Sequence, residues 1–177
     1  MAEARRVTAP GRKKWVFPHQ SSPEELKVGI SDGGAEKKQV VPFRRHITGG
    51  MQPGKRLVLF GTVDSHPDRF YLGLTCGCGT STGGWPDVAL EICVQFKEQQ
   101  ILRRACVSGS WDEPIRDVPF FPFIRAQPFK MEIFCEQSRY LVLVDGQQLF
   151  GFSHRVTSLS DVDTFWIKGS IAVTKLA

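Results

Sequence analysis

No asparagine occurs among the 177 residues of this chain. N-linked glycosylation, which needs an Asn-x-Ser/Thr acceptor, is therefore excluded. Long apolar runs are missing as well. Stretches such as Leu57-Val58-Leu59-Phe60 fall far short of the ~20 residues of a membrane-spanning helix, so no membrane span is expected. The N-terminus has no apolar stretch of the secretory kind, because Arg5, Arg6, Arg12, Lys13 and Lys14 interrupt it. That basic, acid-poor start resembles a transit peptide in composition, but Pro10 and Gly11 break any amphipathic helix. Cysteine is sparse: Cys76, Cys78, Cys93, Cys106 and Cys135. Their odd number and scattered spacing point to reduced thiols and a cytosolic setting. Cys76-Gly77-Cys78 has no second pair and no nearby His, so it reads as small residues at a strand end and no metal site is assigned.

Catalytic constellations are absent too. There is no Ser/His/Asp arrangement, no paired carboxylate and no phosphate-binding Gly-rich loop. His46 and His66 have no partner at catalytic spacing, and Glu132 and Glu136 do not make a glycosidase pair. The chain therefore reads as non-enzymatic, with no catalytic residues and no cofactor.

What is present describes an ordinary globular protein: 41% apolar, 11% aromatic and 23% charged residues, and enough length for one domain. The net charge of +5 is uneven. Residues 1–40 hold eight Lys or Arg against five Asp or Glu, and the remaining 137 hold fifteen against thirteen. The excess thus sits mainly on a Pro-containing segment without apolar periodicity, which reads as a disordered basic N-terminal extension over residues 1–40. One short helix is expected within it, at Ser22 to Lys27. Arg12-Lys13-Lys14-Trp15 is too small a cluster to imply specific nucleic-acid binding and reads as solvated linker.

From Val40 onwards the pattern is all-β. Arg56 to Val63 forms one expected strand, and Arg69 to Thr75 another, with Phe70, Leu72 and Leu74 alternating inward. Asp87 to Phe96, Gln100 to Val107 and Phe129 to Cys135 continue the series. Turn signals at Gly49-Gly50, His66-Pro67-Asp68 and Gly83-Gly84 separate them. Tyr140 to Val144 then runs into Asp145-Gly146, a corner where Gly accepts the positive φ of a hairpin turn. Short strands at regular spacing, with no helical stretch between, predict an antiparallel β-sandwich.

The C-terminal third adds an ordered series: the strand Phe129 to Phe134, the corner Val144-Asp145-Gly146, His154-Arg155-Val156, Val162-Asp163-Thr164, and the closing strand Ile167 to Val173. Upstream lie Gly49-Gly50-Met51, Pro53-Gly54-Lys55, Asp87 to Leu90, and Phe121-Pro122-Phe123. With these motifs in this order, the chain resembles a galectin carbohydrate-recognition domain over about Val41 to Leu176. It is most similar to the galectin-related proteins, whose sugar site is altered. The resemblance implies a galectin-type jelly-roll β-sandwich over residues 41–177.

It also implies where a glycan would bind. A sugar needs fixed donors and acceptors for its hydroxyls and an aromatic plate for its C–H face. The family sets His, Asn and Arg at alternate positions of one strand, facing one way. Here those positions hold Glu91, Cys93 and Gln95. A second Asn, on the next strand, is replaced by Arg104, and an Arg104–Glu91 pair across neighbouring strands is expected. The Trp is retained as Trp111. The Glu and Arg that follow it in the family correspond to Pro114 and Arg116, with Glu113 one place early. With no asparagine in the chain, no realignment restores the usual site. Trp166 reads as core or sheet surface, and His154 as part of a scaffold turn.

The resulting expectation is a galectin-fold, lectin-like binding module in the cytoplasm, with the nucleus or non-classical secretion as alternatives, whose lactose binding is lost or strongly weakened. Its competitors are a lectin shifted towards anionic galactosides and a module for protein partners.

Overall fold

The structure is a computed structural model, and it describes residues 41–77 and 86–177. The expected disordered extension, its short helix, the Gly83-Gly84 turn and Cys78 lie outside the described residues. Eleven strands form among those described: β1 (Phe43–His46), β2 (Arg56–Val63), β3 (Arg69–Cys76), β4 (Val88–Gln95), β5 (Gln100–Val107), β6 (Ser110–Trp111), β7 (Pro128–Cys135), β8 (Arg139–Val144), β9 (Gln147–Ser153), β10 (Val162–Gly169) and β11 (Ile171–Leu176). One 3-10 turn, Leu159–Asp161, precedes β10. No helix among the described residues is long and apolar enough to cross a membrane.

The strands build two antiparallel sheets. One has six strands in the order β1-β10-β3-β4-β5-β6, the other five in the order β11-β2-β7-β8-β9. Period-2 alternation explains how they pack. On β2, Leu57, Leu59 and Val63 turn inward, and on β7 so do Phe129, Met131, Ile133 and Cys135. Opposite them, Phe70, Leu72 and Leu74 of β3 and Leu90, Ile92 and Val94 of β4 complete the core. Phe123 seals one end, with its ring centroid 5.4 Å from Phe70 and 5.0 Å from Phe129 in edge-on contacts.

The Asp145-Gly146 corner joins β8 to β9 as expected. Both residues take positive φ (52° and 84°), the requirement of a tight primed turn. Asp145 is held there by its Oδ1, which accepts the Lys130 N–H at 3.0 Å.

The C-terminal expectation needs a correction. Ile167 to Val173 is not a single closing strand. It divides at Gly169, whose φ is +112°, and β10 and β11 belong to different sheets. A Cβ at Gly169 would come within 2.5 Å of the Arg69 carbonyl oxygen, so only glycine fits this crossing from one sheet to the other. Because of this switch, β10 lies beside β3, where its outward residues border the candidate site.

Candidate functional site

On β4, Leu90, Ile92 and Val94 point into the core, so Glu91, Cys93 and Gln95 point to the outer face of the six-stranded sheet. Strand register places one row of residues across that face: Trp166 opposite Gly73, Gly73 opposite Glu91, and Glu91 opposite Arg104. A second row runs Lys168, Tyr71, Cys93 and Leu102.

The expected pair in the first row is formed. Arg104 Nε donates to Glu91 Oε1 at 2.8 Å. The Glu91 side chain is only 3% exposed, while that of Arg104 remains 35% exposed. Arg104 does more than pair. Its guanidinium carbon lies 3.9 Å from the centroid of the Trp111 ring, so the cation is stacked on the aromatic plate. Trp111 reaches this place because β6 pairs with the end of β5 and sets Trp111 opposite Cys106. The other carboxylate oxygen, Glu91 Oε2, is buried and has no hydrogen-bond partner among the described residues.

Trp166 fills the far end of the same row. It is 2% exposed although Phe165 and Ile167, its neighbours in β10, are the residues that face the core. Its ring lies over Gly73: a Cβ built there would be 2.6 Å from Trp166 Cζ2. Sequence reasoning left Trp166 between core and sheet surface and assigned neither Gly73 nor Lys168 to the site. The alternation Thr164, Trp166, Lys168 against Phe165, Ile167 is the signal that places Trp166 and Lys168 beside β4's outward residues.

In the second row, Cys93 is buried, and its thiol is pushed up to about 12 by desolvation and then by the charge of Glu91. It is protonated at neutral pH and is a weak partner. Gln95 Nε2 reaches its sulfur at 3.8 Å. Tyr71 is likewise raised to about 12, mainly by burial. The Lys168 ammonium is lowered by burial, against the opposing effect of the Glu91 charge, and it lies 5.4 Å from the Tyr71 ring centroid.

The remaining expected residues are dispersed. Arg116 Nη1 donates to Gln100 Oε1 at 3.2 Å, which sets it next to Gln95, since Gln95 and Gln100 are register partners. Glu113 is exposed and joins none of these contacts. The loop carrying both is fixed from below. The Arg103 Nη1 donates to the Asp117 carbonyl at 2.8 Å, its Nη2 lies 3.3 Å from Asp117 Oδ1, and its guanidinium stacks 4.3 Å from the Phe150 ring centroid. Arg103 is pushed down by burial and partly restored by Asp117. On the other side, Arg155 Nε donates to Asp112 Oδ2 at 3.1 Å. Neither anchor was read from the sequence as part of the site. Among the described residues no group of three or more His, Cys, Asp or Glu is placed to hold a metal ion.

Comparison with known proteins gives one consistent result. Residues 42–177 match the family model described as galactoside-binding lectin. Galectin-4 of Sus scrofa is 28% identical over 157 residues, covering 89% of this chain and 47% of galectin-4, so the chain spans about half the length of that relative. Among solved structures, galectin LEC-6 of Caenorhabditis elegans superposes with a TM-score of 0.66 at 20% identity, covering 79% of this chain and 93% of that one. Sheep galectin-11, solved in complex with glycerol, gives 0.64 at 16% identity over 77% and 96% of the two chains. At these identities the structural likeness shows the fold.

Proposed function

Because the chain belongs to the galactoside-binding lectin family and carries the galectin fold, we propose that it is a non-enzymatic, lectin-like module whose β-galactoside binding is lost or strongly weakened. The observation that carries this reading is Arg104 lying on Trp111. The plate that would receive a sugar's C–H face already bears a cation, and that cation is tied to Glu91 at 2.8 Å. A galactoside entering here would have to displace Arg104 from both contacts. It would then meet Cys93, a poor hydrogen-bonding partner, at the centre of the strand. Each hydroxyl left unpaired forfeits about 1–3 kcal/mol, so two or three such losses abolish a modest affinity.

Titration calorimetry with lactose and N-acetyllactosamine tests the reading. We expect no saturable heat at millimolar sugar, and a Kd in the ordinary galectin range would overturn it. The cations Arg104, Arg116, Arg69 and Lys168 on and beside this face favour a second reading, an anionic galactoside. A glycan array with sulphated and sialylated members, repeated at raised salt, separates the two.

A further inference from the structure

The contacts of Arg104 describe a recognition site as well as an obstruction. A buried carboxylate flanked by an aromatic plate is the arrangement that binds a guanidinium: the carboxylate takes its N–H groups and the ring faces its plane. Here the arrangement is occupied from within, and incompletely. Arg104 springs from the strand position directly opposite Glu91 and approaches through Nε alone. Glu91 Oε2 therefore stays buried and unpartnered among the described residues. A two-bond fork, the stronger geometry, is not made. A guanidinium arriving from solvent is not tethered to β5 and is free to turn both of its terminal N–H groups to the carboxylate.

We infer that the Glu91–Trp111 pair is a guanidinium site filled in cis by Arg104, and that its external ligand is the arginine side chain of a polypeptide partner. This builds on the reading that the groove is not an ordinary lactose site. It adds what the groove is shaped to accept. Arg104 acts as a built-in competitor, so the intact protein engages an external arginine weakly unless Arg104 is drawn aside.

The test is an NMR titration of the Trp111 indole N–H, identified by its loss in Trp111→Phe, in the full chain at constant ionic strength. The probes are methylguanidinium, acetyl-arginine-amide and its neutral isostere acetyl-citrulline-amide. With Arg104→Ala, both cations should shift the resonance saturably at millimolar concentration and the citrulline compound should not. Wild type should need roughly tenfold more of either cation, because the tethered guanidinium competes. Adding Glu91→Gln to Arg104→Ala should remove the response. No saturable shift in Arg104→Ala, a shift that survives Glu91→Gln, or equal midpoints for wild type and Arg104→Ala each overturns the inference. Should Arg104→Ala fail to fold, Arg104→Lys keeps a cation beside Glu91 but loses the planar stack, and its midpoint should fall at least about threefold below wild type. An unchanged midpoint there also overturns it. Lactose in the same assay separates the two readings. A lactose shift in wild type defeats the proposed function, whereas silence of wild type to lactose together with silence of Arg104→Ala to methylguanidinium defeats this inference alone.

Discussion

Gly73→Ala tests the packing that closes the groove, and it is sharp because two principles predict opposite signs. Gly73 sits in mid-strand on β3 and is not among the residues with positive φ. In open space, alanine there would restrict the unfolded chain and stabilise the protein by about 0.4–1 kcal/mol. The structure does not leave that space. The new Cβ would lie 2.6 Å from Trp166 Cζ2, 2.8 Å from Trp166 Cε2 and 2.7 Å from the Leu90 carbonyl oxygen. The indole can shift, but the carbonyl belongs to the backbone of β4 and cannot move without disturbing a paired strand. Overpacking of this kind costs typically 1–3 kcal/mol. Subtracting the middle of the entropy gain from the middle of that cost leaves a net loss of about 1.3 kcal/mol, or roughly 4–5 °C in Tm for a domain of this size.

Urea unfolding of wild type, Gly73→Ala and Gly151→Ala reads this out. Gly151 on β9 is the control: the three atoms nearest its Cβ would all belong to the flexible, partly exposed Arg139 side chain, with Nη1 at 2.8 Å. We expect Gly151→Ala within about 0.5 kcal/mol of wild type, as for an ordinary surface change. Gly73→Ala/Trp166→Phe should recover part of the loss but not all, because the Leu90 contact remains. A Gly73→Ala protein as stable as wild type, or more stable, would show that Trp166 does not lie over β3, and the closed end of the groove would go with it.

Two further outcomes follow from buried charges and phenols. Arg103→Met replaces a buried cation with an apolar chain of similar length, so global stability should change by less than about 1 kcal/mol. The amides near Asp117 should nevertheless lose hydrogen-exchange protection, because the tie to the Asp117 carbonyl is gone; unchanged protection would refute the anchoring role. Both tyrosines of the chain are raised by burial, Tyr71 to about 12 and Tyr140 further. In the unfolded chain they ionise near 10, so between about pH 10 and 12 the unfolded state holds fewer protons and stability falls as pH rises. An ultraviolet titration should show almost no tyrosinate at pH 10.5 in the folded protein and a majority of it in urea. Half-ionisation near pH 10 in the folded protein would contradict the burial of both rings.

The scaffold was legible where local pattern and tertiary role coincide. Arg56–Val63 and Gln100–Val107 emerge with the expected bounds because inward and outward residues alternate along most of each. The same alternation misled at Ile167–Val173. A strand that crosses between sheets keeps its period, and the only mark of the crossing is the positive φ of Gly169. That is a conformation, not a pattern.

The site divides along similar lines. Glu91 facing Arg104 follows from period and strand adjacency, both readable in one dimension. The stacking of Arg104 on Trp111 depends on side-chain direction, and the seat of the Trp166 ring on β3 depends on a missing side chain two strands away from Arg104, at Gly73. Each is a relation between residues whose own identities carry no hint of it. Together these two relations lay the chain's own side chains along the row that runs from Trp166 to Arg104. Substituting the polar residues alone would leave an open groove with altered lining, able to receive some other glycan. An arginine tied to Glu91 and laid on the remaining aromatic plate would have to be drawn aside before any ligand reached that plate. On the proposed reading, weak galactoside binding would come from occupation by the chain's own side chains more than from loss of single contacts. Restoring one lost hydrogen-bonding residue should therefore recover less binding than removing Arg104.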